Sequence, residues 1–186
     1  VLATELRAVT DRYRIAYMGS ACTVLEGHTA VARGETSAGI ERMRQALDEF
    51  RRQQAGLGWT FALSLPAAAC AQLGRPEEGL ELVAEAFEAA ERNGDLFLTA
   101  ELKRLRGDLL YARSPGDLQG PIDCYRQAAA LAVEQGARAL ELRAVVSLAR
   151  LCPTDTAVWR RLRALYDSFD EGHQTVDLTT ARTLLE

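Results

Sequence analysis

The sequence predicts an all-α fold, a superhelical solenoid of stacked helical hairpins, and three observations carry that expectation. The first is a recurring template in "GETSAGIERMRQALDEF" from Gly34, "GRPEEGLELVAEAFEAA" from Gly74 and "GDLQGPIDCYRQAAALA" from Gly116. Five residues after each glycine stands a compact residue, Gly39, Gly79 or Pro121, and seven further stands Ala46, Ala86 or Ala128. Between them sits an apolar pair: Ile40 and Met43, Leu80 and Val83, or Ile122 and Tyr125. A weaker copy holds Val158, Arg161, Ala164 and Leu165 and closes at Gly172. The second observation is periodicity: Leu80, Val83, Ala84, Phe87 and Ala90 fall on one helical stripe. The third is that no β-branched alternation of useful length occurs, so no strand is expected.

The helices follow in order. A short one is expected over 2–10 and a long one over about 12–33. The first template copy gives 36–55. The helix at 58–73 contains Pro66, which removes a backbone donor and predicts a kink after Leu65. Gly74 ends that helix, because a left-handed residue costs glycine little, and Pro76 suits the first turn of the next. That helix, 76–93, closes at Gly94. Helices at 96–113 and 118–135 follow, the second closing at Gly136, and then 138–151, 155–170 and 177–185. Alanines at fixed places let neighbouring helices approach closely, so their spacing repeats while the outward chemistry varies. The glycine spacings are 74 − 34 = 40 and 116 − 74 = 42, and the last alanine spacing is 164 − 128 = 36. The expected organisation is one repeat domain over 1–186. It comprises a partial repeat at 1–33, hairpins at 34–73, 74–115 and 116–151, and a capping region at 152–186.

The bulk properties narrow the function classes. The 186 residues are 48% hydrophobic and 26% charged, as in a soluble globular protein. The net charge of −4 argues against a nucleic-acid surface, which needs clustered positive charge. Arg7, Asp11, Arg12 and Arg14 interrupt any leader-like apolar region, and the longest apolar run, 61–71, is too short to cross a bilayer. With Val1 in first place, the expectation is a piece of a longer cytoplasmic protein. Cys22, Cys70, Cys124 and Cys152 form no C-x-x-C pair and read as buried thiols.

The Gly, small, Ala offsets resemble the second helix of the tetratricopeptide repeat, and Gly27 and Gly107 fall near the small position of its first helix. The period exceeds that family's, and its early aromatic is poorly kept. Three further stretches carry a narrower resemblance: "AELKRLRGDLL" at 100–110, "ELRAVVSLARL" at 141–151 and "FDEGHQTVDLTTARTLL" at 169–185. Together they resemble the C-terminal tetratricopeptide-like repeat domain of large bacterial multidomain signalling proteins. In those proteins a nucleotide cyclase or a LuxR-type regulator is fused to a predicted ATPase. The resemblance implies a regulatory or protein-interaction module. The cyclase residues, the phosphate loop and the helix-turn-helix are absent from this chain, so none carries over.

No motif for phosphate, dinucleotide or zinc chemistry occurs, and no catalytic residue, metal or cofactor is expected. His28 and His173 lie far apart in sequence with no ligand spacing. Glu77, Glu81, Glu85 and Glu88 form a stripe that reads as a solvated face more readily than as a docking surface. The candidate binding residues are Glu101, Arg104, Glu141 and Arg143. Glu101 and Glu141 are one repeat length, 40 residues, apart and are expected at equivalent places on successive first helices. Such helices line the concave face of a solenoid. Two readings are open: a polar groove for an anionic or peptide partner, or an inter-repeat salt-bridge ladder, which the habits of long polar side chains favour. Trp59 and Phe61, beside the Pro66 kink, could line a pocket, with packing as the simpler role. The expected function is therefore a non-catalytic module that binds a protein, a peptide or other domains of its own chain, with no nucleic acid and no membrane, and with self-association possible. The rival is a sensor holding a small effector inside the superhelix.

Overall fold

The computed structural model describes residues 2–13, 16–53 and 58–186, with the side chains of 2–4, 16 and 17 left aside. Every regular element among them is a helix: α1 (Leu2–Tyr13), α2 (Ala16–Ala32), α3 (Thr36–Gln53), α4 (Trp59–Gln72), α5 (Pro76–Asn93), α6 (Thr99–Arg113), α7 (Gln119–Glu134), α8 (Arg138–Leu151), α9 (Thr156–Asp167) and α10 (Val176–Leu185). The expected elements are present, with ends shifted by a few residues. α4 continues through Pro66 to Gln72.

Local chemistry sets the boundaries. Pro76 opens α5, where its missing N–H is not needed, and Gly94 closes it at φ 67°. The Asp95 N–H then donates back to the Ala90 carbonyl at 2.9 Å, satisfying an end-of-helix acceptor. Asp155 caps α9 by accepting from the Ala157 and Val158 N–H groups, and Thr175 caps α10 by accepting from Leu178.

The helices pack as two compact units, 1–96 and 97–186. The division falls inside the expected hairpin 74–115, leaving α5 in the first unit and α6 in the second. In each unit the most extensive pairs are framed one helix earlier than the glycine template suggests. They are α2 with α3, α4 with α5, and α6 with α7. The reason is steric. The template's small residues face backwards, onto the helix that precedes them.

Three template positions, spaced as i, i+4 and i+7, make this seam. Gly39, Met43 and Ala46 are buried on α3; Gly79, Val83 and Ala86 on α5; Pro121, Tyr125 and Ala128 on α7. The residue after the compact position is less constrained, and Leu80 and Ile122 are only half-buried. On the facing helices small residues recur every 40 positions: Gly27, Ala67, Gly107 and Ser147, all buried. A Cβ on Gly27 would stand 2.7 Å from the Gly39 carbonyl oxygen, so α2 and α3 cross with backbones nearly in contact. At Gly107 the added carbon would run into the ring of Tyr125, 2.8 Å from Cδ1.

First helices of successive hairpins also touch. α2 lies against α4 in the first unit, and α8 lies against both α6 and α10 in the second. The core of the second unit gathers Tyr125, Leu142, Val145, Leu162, Leu178 and Ala181.

Candidate functional site

Three of the four polar residues expected on the first helices, Glu101, Arg104 and Arg143, belong to a connected chain in the second unit. Arg104 grips Glu101 with two bonds, Nε to Oε2 at 3.0 Å and Nη2 to Oε1 at 2.8 Å. Its Nη1 donates to Asp108 Oδ2 at 2.5 Å. On the other side of Asp108, the Tyr125 hydroxyl of α7 donates to Oδ1 at 2.8 Å. Arg143 of α8 stands 3.7 Å from Glu101 through Nη1 and donates through Nε to Asp177 of α10 at 2.8 Å. The order is Tyr125, Asp108, Arg104, Glu101, Arg143, Asp177, and it ties four helices together.

Burial separates the members. The side chains of Glu101 and Arg104 are 12% and 15% exposed, whereas that of Arg143 is 41% exposed. Burial alone would lower the Arg104 pKa, but the hydrogen bonds and charges of Glu101 and Asp108 win, and it rises above the ordinary arginine value. The Tyr125 hydroxyl is pushed well above its usual range, first by burial and then by the Asp108 charge and hydrogen bond. Both shifts hold the groups in the protonated forms that donate to the carboxylates. The arrangement can position helices.

Glu141 stands apart from this chain. Its Oε1 accepts from Arg161 of α9, Nη2 at 2.7 Å and Nε at 3.0 Å, and Arg161 also donates to the Ala129 carbonyl of α7 at 3.4 Å. Glu101 and Glu141 stand at corresponding places, each six residues before the buried small residue of its helix, Gly107 or Ser147, and their side chains are 12% and 13% exposed. Arg104 and Arg143, 39 apart, do not correspond by that 40-residue step, and Arg143 is the more exposed of the two.

Trp59 and Phe61 part company as well. Trp59 is 8% exposed, with its ring 5.5 Å from that of Phe50 and the Arg51 guanidinium 5.5 Å above it. It packs α4 onto α3. Phe61 is 39% exposed. The two rings, two residues apart on one helix, thus differ in exposure, one buried and one turned outward.

Sequence reasoning missed Asp108, Asp177, Arg161 and the Tyr125 hydroxyl. Asp108 lies four residues after Arg104, a helical pairing that was open to view. Arg161 is exposed on α9, whose inward seam is Val158, Leu162 and Leu165, so no template position announced its pairing with Glu141. Asp177 carries no local sign.

The histidines play other parts. His28 buries Nδ1 without a hydrogen bond, and burial holds its pKa below the ordinary imidazole value. The His173 ring meets Tyr166 edge-on at 5.8 Å. Among the described residues no group of three or more His, Cys, Asp and Glu gathers as a metal site, and no helix is long and apolar enough to cross a membrane. No family model matches the chain, and neither does any curated protein or solved structure.

Proposed function

We propose that the chain is a tetratricopeptide-like superhelical solenoid that serves as a non-catalytic interaction module of a larger bacterial cytoplasmic signalling or regulatory protein. One observation carries this reading: first helices of successive hairpins lie side by side, α2 with α4, α6 with α8 and α8 with α10, the second set joined through Glu101, Arg143 and Asp177. Stacked helix pairs use such rows of first helices to build extended recognition surfaces. In this account Arg104 and Glu101 hold the row in register, and the half-exposed Arg143 is the member that a protein or peptide partner reaches. The partner is another protein or another domain of the parent chain, whose switch equilibrium shifts on docking.

The test joins a binding measurement to an activity measurement. Cross-linking of the parent protein should place contacts along α6, α8 and α10, and Arg143→Ala should weaken them while costing about 1 kcal/mol or less of stability, as for a half-exposed ion pair. ATP or nucleotide turnover by the purified chain, abolished by changing one of its own residues, would overturn the reading.

A further inference from the structure

No further inference is drawn: the strongest candidate, the outer face of α10 with its exposed Val176 and Thr183, is an unpartnered helix surface, and nothing in the structure shows what covers it.

Discussion

The two units solve the same packing problem with different chemistry. In the first, charged rungs join second helices on the outside: Arg44 to Glu78 at 2.7 Å and Arg51 to Glu85 at 2.9 Å, both from α3 to α5. Their arginines are about half exposed, 45% and 46%, so water screens the attraction. In the second unit the polar chain runs along first helices, and its central pair, Glu101 and Arg104, is largely shielded. The close approaches differ in the same sense. Gly27 meets the backbone of α3, whereas Gly107 receives the Tyr125 ring, whose hydroxyl then reaches Asp108. The repeated template fixes where small residues must stand. It leaves open whether polar side chains decorate the surface or stitch the interior, and burial decides how much each contributes.

The largest break of this comparison is Arg104→Ala. It strands two shielded carboxylates, and loss of one partner from a buried ion pair costs about 3 kcal/mol. Chemical denaturation should show that loss in the second unit, while Tyr125 and Arg143 keep one contact each to the stranded acids. Gly39→Leu in the first unit comes next. Its side chain would press on the Gly27 carbonyl, and overpacking there should cost roughly 2–3 kcal/mol, read as a fall in the denaturation midpoint.

Cys70 offers a pH test of the first unit. Its thiol is pushed up to about 11 from 9.0, chiefly by burial and then by the Glu78 charge. The folded chain keeps a proton that the unfolded chain releases. Stability is therefore full below pH 9 and falls as pH rises from about 9 to 11. The loss is on the order of 2 kcal/mol, and Cys70→Ala should flatten that part of the profile. Tyr125→Phe keeps the ring over Gly107 and removes only the hydroxyl, leaving Asp108 with Arg104. About 1 kcal/mol should be lost in thermal unfolding. Arg44→Ala, on the exposed rung, should shift stability by about 0.5 kcal/mol or less, and salt should erase the difference.

Helix existence and order were legible from the sequence because they rest on local signals. Gly74 with Pro76, and Gly94 and Gly136 at helix ends, depend only on backbone preference. The inward template was legible because Ala46, Ala86 and Ala128 repeat. The hairpin frame was harder. A glycine marks the start of a second helix clearly, but only the burial of Gly27, Ala67, Gly107 and Ser147 shows that its close partner comes before it. The candidate site was half legible. Glu101 and Glu141 correspond by the 40-residue step, as their spacing suggests. That step does not reveal that Glu141 pairs with Arg161 of α9 and not with the chain around Arg104. Asp177 reaches Arg143 only through tertiary packing, across 34 residues of chain.

The account rests on the polar chain of the second unit acting as an internal staple, and a double-mutant cycle on Glu101 and Arg104 tests this most directly. Unfolding free energies of Glu101→Gln, Arg104→Met and the double variant would be set beside the same cycle for Glu78 and Arg44. The account predicts a coupling of about 2 kcal/mol for Glu101 and Arg104, against about 0.5 kcal/mol or less for Glu78 and Arg44. Near-zero coupling in both pairs, or a larger one on the exposed rung, would contradict it.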